Sequence, residues 1–363
     1  MKKTIAILPG DGIGPEIMRE AIKVLKVAVP NFDDQFDLAY GLIGGAAFDE
    51  TGMHFPEATL KLAKRSEAIL FGSVGGPVSE AHLPKWNGCE TNSILAIRKA
   101  FNFYANLRPI SVYPELMEIS PLKADRISSG IDIVVVRELS GDVYFGKHEL
   151  TKGPDGERKA SDTAEYSEDQ IKRIAKVAFD LARQRGKKVT SVDKANVLAT
   201  SKLWREVVSE IGQEYADVEL EHMLVDNCAM QLVVRPSAFD VVLTANLFGD
   251  ILSDLGAVLP GSLGLLGSAS LNAEGFGLFE PPSGSAPDIA GKNIANPTGQ
   301  ILSAAMMLRL ALNMPKEAQA IEEAVKRVIR SGARTGDIYR DSINSRLLST
   351  TTFGDAVVQE LCN

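Results

Sequence analysis

The sequence predicts an α/β protein, and two observations predict it. Short apolar runs without polar alternation recur at Thr4 to Leu8, Ala68 to Val74, Ile131 to Val136, Val189 to Val192 and Phe239 to Thr244. Such runs belong to strands buried on both faces. Between them lie amphipathic segments of helical period, and strands that alternate with helices build a helix-covered sheet.

The elements follow in order. The first strand, Thr4-Ile-Ala-Ile-Leu8, is closed by Pro9-Gly10-Asp11-Gly12. Met1-Lys2-Lys3 ahead of it has the charge of a secretory leader, but the apolar run after it is too short for one. Pro15 suits the first turn of a helix, where its missing N–H has no partner to lose, so Glu16 to Val29 reads as the first helix. The clearest helix runs from Ser167 to Arg185. Ser167 and Gln170 form a capping box, Ile171, Ile174, Ala178 and Leu181 line one face, and Gly186 is the expected stop. Gly and Pro cluster at Gly75-Gly76-Pro77, Pro260-Gly261 and Glu280-Pro-Pro-Ser-Gly284, which read as loops able to carry function. The 363 residues allow two domains, and no internal repeat or low-complexity linker separates them. Domains joined in that way share strands, with the chain crossing between them more than once.

Composition narrows the function. A formal net charge of −8 and the absence of any basic block argue against nucleic acid as a partner. No apolar segment approaches the ~18 residues of a membrane span. Cys89, Cys228 and Cys362 cannot pair completely and have no close Cys neighbours, which fits a reducing cytoplasm. The four histidines, His54, His82, His148 and His222, lack the spacing of a zinc site.

Four constellations carry possible chemistry. Asp250 and Asp254 stand four residues apart in the helix-forming run Asn246-Leu-Phe-Gly-Asp-Ile-Leu-Ser-Asp254, so both project from one helix face. They are either a solvated acidic pair or two ligands of a hard cation such as Mg²⁺ or Mn²⁺. Arg98, Arg108 and Arg137 each sit in apolar surroundings; they are either structural ion pairs or a clamp for a di-acid or tri-acid. Lys194 follows a predicted strand, where partial burial and a nearby metal would make its amine basic, and Tyr144, in a strand-like run, is either packing or a proton donor. Gly10-Asp-Gly12-Ile-Gly14-Pro15 joins a strand to a helix, but its G-x-G-x-G spacing is not the G-x-G-x-x-G of a Rossmann site. A tight turn beside an active site is the other reading.

Together these residues resemble the isocitrate/isopropylmalate family of β-decarboxylating dehydrogenases, from Leu8-Pro-Gly-Asp-Gly-Ile-Gly-Pro-Glu16 to the C-terminal helices. The most specific segments are Asn246 to Asp254, Leu259-Pro-Gly-Ser-Leu-Gly-Leu-Leu266 and Gly284-Ser-Ala-Pro-Asp-Ile-Ala-Gly-Lys-Asn-Ile-Ala-Asn296. The resemblance implies two open α/β domains that are not Rossmann folds. Residues 1–104 and 262–363 would form an NAD-binding domain carrying both termini, and 105–261 a central domain with the dimer interface and the metal site. It also implies NAD-dependent oxidative decarboxylation of (2R,3S)-3-isopropylmalate in leucine biosynthesis, with D-malate or tartrate as rival substrates of the same chemistry.

By the same resemblance, Asp226, Asp250 and Asp254 hold Mg²⁺ or Mn²⁺, with Asp226 also facing the substrate, and Arg98, Arg108 and Arg137 hold the malate carboxylates. Lys194 removes the 2-hydroxyl proton and Tyr144 returns a proton after CO₂ leaves. Lys194 and Asp226 come from the partner of a homodimer, and Asn196 and Val197 line the same wall. NAD lies along Gly76 to Glu90, along Gly284, Ser285, Ala286, Pro287, Asp288 and Ile289, and against Asn296. Asp288 favours NAD, since a carboxylate binds ribose hydroxyls and repels a 2′-phosphate. Ser283 departs from a family pattern that places a His against adenine. Ile94 stands where isocitrate dehydrogenases place an Asn, so Ile94, Leu95 and Val197 form an apolar pocket for a branched alkyl group. Burying such a group stabilises by about 1.5–3 kcal/mol, whereas isocitrate would leave a carboxylate unpaired there.

Overall fold

A computed structural model describes residues 2–128, 130–341 and 345–363. In chain order its main strands are β1 (Lys3–Gly10), β2 (Phe36–Tyr40), β3 (Ala68–Ser73), β4 (Ala105–Ser111), β5 (Asp132–Glu138), β6 (His148–Lys152), β7 (Arg158–Asp162), β8 (Lys188–Asp193), β9 (Glu219–Leu224), β10 (Val241–Thr244), β11 (Ser268–Leu271) and β12 (Gly277–Glu280). The chain forms two compact units. The first comprises Met1–Phe101, Tyr113–Pro121 and Pro260–Asn363, the second Asn102–Val112 and Leu122–Leu259.

In the first unit the strand order is β2-β1-β3-β12-β11, parallel except for β11 against β12. β1 and β3 are apolar and buried because helices cover them, notably Gly14–Ala28 and Thr298–Leu310. Tyr113–Pro121 belongs to this unit because Leu116 and Ile119 enter its core beside Leu265, Ala269 and Phe279.

In the second unit the order is β4-β5-β10-β8-β9, parallel except for β4 against β5. Helix Glu168–Arg183 packs on β5 and β10, and its Ile171, Ile174 and Phe179 are fully buried. Helix Asn246–Val258 packs on β5 and against helix Val225–Val234. β6 and β7 form a separate antiparallel hairpin with every residue exposed.

The capping box at Ser167 and Gln170 is present, with the Ser167 hydroxyl accepting the Gln170 N–H. The expected stop at Gly186 is corrected. The helix ends at Arg183, and the left-handed residue is Lys187 (φ 59°), whose N–H returns to the Ala182 carbonyl at 3.0 Å. Gly186 is small for another reason: a Cβ there would stand 3.0 Å from Asp240 Oδ2, a carboxylate already holding Arg185. Among the described residues no helix is long and apolar enough to cross a membrane, and Cys89, Cys228 and Cys362 are free.

Replacing Ser167 by Ala removes the cap and is expected to lower stability by about 1 kcal/mol. Denaturant unfolding of the two proteins checks this, and equal midpoints would contradict it.

Candidate active site

In the second unit the acidic pair lies on helix Asn246–Val258, as its spacing requires. β5 delivers Arg137 to this helix and β4 delivers Arg108. Arg137 is 1% exposed and directs Nη1 at Asp250, which also accepts the Tyr144 hydroxyl at 2.6 Å. Arg108 Nη1 donates to Asp254 at 3.0 Å and to Ser253 at 2.7 Å, while its Nη2 lies 3.5 Å from Asp250. Arg137 therefore meets its acid with little solvent to screen the charge.

Gly249 makes that approach possible. A Cβ there would fall 2.6 Å from Arg137 Cγ and 2.3 Å from Thr244 Oγ1, so only glycine lets the arginine stem lie on the helix. A mid-helix glycine costs about 1 kcal/mol relative to Ala, which this contact must offset. Tyr144 lies in the turn after β5 rather than in a strand. Burial, then the hydrogen bond and charge of Asp250, push its pKa above the ordinary phenol value, so the hydroxyl holds its proton.

Lys194 follows β8, its backbone N–H held by Ser201 at 3.0 Å. Its ammonium pairs at 2.5 Å with Asp226, in the first turn of helix Val225–Val234, and this bond pulls the Asp226 pKa down. Val197 is 65% exposed. Among the described residues no three His, Cys, Asp or Glu side chains gather as a metal site. The donors on helix Asn246–Val258 nevertheless suit a hard cation, since Asp250 and Asp254 are oxygen ligands without a soft neighbour. Desolvation raises the Asp254 pKa, Arg108 lowers it and Asp250 raises it, an imbalance that a divalent ion would relieve.

The remaining expected residues belong to the first unit. Thr91–Leu95 is a π-helical turn leading into helix Ala96–Ala100, and such turns are frequent at functional sites. It carries Ile94 and Leu95, both half-buried, and the helix that follows carries Arg98. Arg98 is buried and donates to Glu280 at 3.2 Å, and its Nε has no hydrogen-bond partner. A buried guanidinium with an unspent donor suits an anionic ligand.

The Gly10 to Pro15 turn is a clasp rather than a phosphate cradle. Three of its N–H groups are spent inside the protein, Asp11 on the Ser73 carbonyl, Ile13 on Ser285 and Gly14 on Asp11. Gly12, at φ 58°, touches the second expected cofactor segment so closely that a Cβ would meet the Ser285 carbonyl at 1.9 Å. The Asp11 carboxylate accepts N–H groups from Gly45 and Ala46 at 2.8 Å and from Gly75 at 3.0 Å. It thereby caps helix Gly44–Thr51 from a distance and ties down the loop that contains Gly76. Glu90 and Ser285 flank Gly75, and Trp86 packs on Gly76. Ala286 and Ile289 pack against Ile13, Ile17 and Ala295, which leaves Gly284, Pro287 and Asp288 exposed. Asn296 accepts the Thr298 N–H and donates to Asp337, both at 3.0 Å.

Sequence reasoning missed Asp11, Asn246, Gly249 and Ser253 as residues that hold this geometry. The signal for Gly249 was available: glycine inside a strongly helical run marks a close approach.

Fold and site together are those of an enzyme. The chain belongs to the isocitrate/isopropylmalate dehydrogenase family, which matches residues 4–357. It is 53% identical to a 3-isopropylmalate dehydrogenase of Syntrophotalea carbinolica over 363 residues, 99% of each chain. It is 54% identical to one of Thermotoga maritima over 357 residues, 98% of each. Among solved structures it resembles an isocitrate dehydrogenase from Methylococcus capsulatus, with a TM-score of 0.88, 36% identity and coverage of 99% of this chain and 100% of that one. A β-decarboxylating dehydrogenase from Thermococcus kodakarensis has a TM-score of 0.78 at 37% identity, covering 99% of this chain and 96% of that one.

Asp11→Asn is expected to lower stability by about 1–3 kcal/mol, because an amide cannot accept all three N–H groups and one is left facing its NH₂. Thermal unfolding measures this, and an unchanged transition would contradict the clasp.

Proposed function

We propose that this chain catalyses the NAD-dependent, Mg²⁺- or Mn²⁺-requiring oxidation and decarboxylation of (2R,3S)-3-isopropylmalate to 4-methyl-2-oxopentanoate and CO₂, in leucine biosynthesis. The observation that carries the reading is the grouping of Arg108, Arg137 and Tyr144 around Asp250 and Asp254. The names of the relatives at about half identity support the substrate.

Arg108 and Arg137 bind and orient the malate carboxylates, and the family resemblance assigns the same task to Arg98 of the first unit. Asp250 and Asp254 hold the divalent ion, with Asp226 as the third acid. When bound, the ion supplies Lewis-acid stabilisation of the 2-oxygen and NAD supplies the hydride acceptor. Lys194 takes the proton of the 2-hydroxyl, which requires its amine to be neutral and free of its present bond to Asp226. Tyr144, a phenol and therefore protonated at neutral pH, is assigned to deliver a proton to the carbon that CO₂ leaves. Ile94, Leu95 and Val197 receive the isopropyl group.

For NAD we assign the first-unit segments tied together by Asp11 and Ile13: Gly76 to Glu90, the Gly284 to Ile289 loop, and Asn296. To Asp288, which is exposed, we assign the ribose hydroxyls. We assign this unit to the cofactor and the second to the metal site and dimer contact. Lys194 and Asp226 act in the site of a second copy of this chain. Met230, Val233 and Val234, on the helix that starts beside Asp226, and Ile251 and Val258, on the helix of the acidic pair, expose the apolar surface such a copy would cover.

The protein is expected to form NADH with 3-isopropylmalate, to prefer it over D-malate, tartrate, isocitrate and homoisocitrate, and to lose activity in EDTA and regain it with Mg²⁺ or Mn²⁺. Following absorbance at the NADH band across that panel tests the assignment. Absence of turnover with 3-isopropylmalate would overturn it.

A further inference from the structure

Asn246 opens the segment that carries both acids, yet the reaction as assigned gives it no task. Its side chain is 1% exposed, and each polar group points in a fixed direction. Oδ1 accepts two donors of Arg137, Nε at 3.0 Å and Nη2 at 2.8 Å. Nδ2 donates to the Gly141 carbonyl at 3.1 Å, which sets the amide oxygen and nitrogen unambiguously. Its backbone N–H donates to the Tyr166 hydroxyl at 2.8 Å.

The Nε and Nη2 edge of a guanidinium is one that a carboxylate takes with both oxygens. Here a neutral amide oxygen occupies it. An Asp at this position would fit the same space while offsetting the arginine's charge, whereas Asn fixes the orientation and adds no charge. Gly249 seats the stem of Arg137, Asn246 holds one edge of its head, and Nη1 is thereby turned toward Asp250.

We infer that Asn246 is a positioning residue that locks Arg137 through a neutral acceptor, so that the guanidinium charge serves Asp250 and a substrate carboxylate rather than a second protein acid at this edge. The inference rests on the assignment of Arg137 to substrate binding made above.

Asn246→Asp in the full-length protein tests it, because the change is nearly isosteric and alters charge. Steady-state kinetics with 3-isopropylmalate and NAD are measured beside thermal unfolding. The expected result is a rise in KM for 3-isopropylmalate of about tenfold or more, the scale of one added charge close to the site. KM for NAD stays near the wild-type value, while the unfolding transition falls, because a carboxylate oxygen then faces the Gly141 carbonyl where Nδ2 donated to it. An unchanged KM for 3-isopropylmalate overturns the inference, and so does a parallel rise in both KM values, the mark of a merely structural role. If N246D does not fold, a double-mutant cycle of Asn246→Ala with Arg137→Lys decides: less-than-additive effects on KM are expected, and additive effects overturn it. Wild-type turnover of 3-isopropylmalate with an unaffected N246D removes the positioning role alone. No wild-type turnover removes the substrate assignment and this role with it.

Discussion

Burial of the Arg137 guanidinium beside Asp250 is the interaction on which the second unit's chemistry depends. Burying the guanidinium is costly even with Asp250 partly open to solvent, and removing its acid would be costlier than never having built the pair. The surrounding sequence is arranged around that cost. β5 is apolar up to Val136 and then presents Arg137, β10 runs parallel beside it with Thr244 in register, and the helix that follows β10 returns with Asn246, Gly249 and Asp250 on the face that meets the arginine. One strand end and one helix start thus hold Arg137 and Asp250 together.

The first unit solves a different problem in a similar way. Its loops are long and rich in glycine, so they need anchoring if they are to hold a cofactor in one place. Asp11 and Ile13 supply the anchor by bonding to Gly45, Ala46, Gly75 and Ser285. Burial raises the Asp11 pKa while the three N–H bonds oppose that shift, as is expected of a carboxylate used as a bracket. A turn that looks in sequence like a damaged nucleotide fingerprint proves to be the clip between two other segments.

What was legible in the sequence was local. The Ser167 capping box, the pitch of its helix and the shared face of Asp250 and Asp254 depend on residues three or four apart. Asn246 could not be read, because its partners Arg137 and Gly141 lie 109 and 105 residues away. The β6–β7 hairpin was also invisible: His148-Glu-Leu-Thr-Lys152 has no apolar face, as befits strands exposed on both sides. Gly186 misled because the left-handed position fell on Lys187, one residue on, once Asp240 required the glycine for its own approach. The division of the acids between Asp250 and Asp254 on one side and Asp226 with Lys194 on the other was implied by the family resemblance, whereas the ion pairs that hold each group, Arg137 with Asp250 and Lys194 with Asp226, join residues too far apart in sequence to be read there.

The central proposal is that one chain supplies Arg108, Arg137, Asp250 and Asp254 to a site and a second copy supplies Lys194 and Asp226. Mixing two inactive variants, Lys194→Ala and Asp250→Ala, under conditions that exchange subunits measures it directly. In a hybrid dimer one site then has both residues intact and the other has neither, so activity should return to about a quarter of wild type at random exchange of equal amounts. No recovery, with exchange verified, would contradict the shared site.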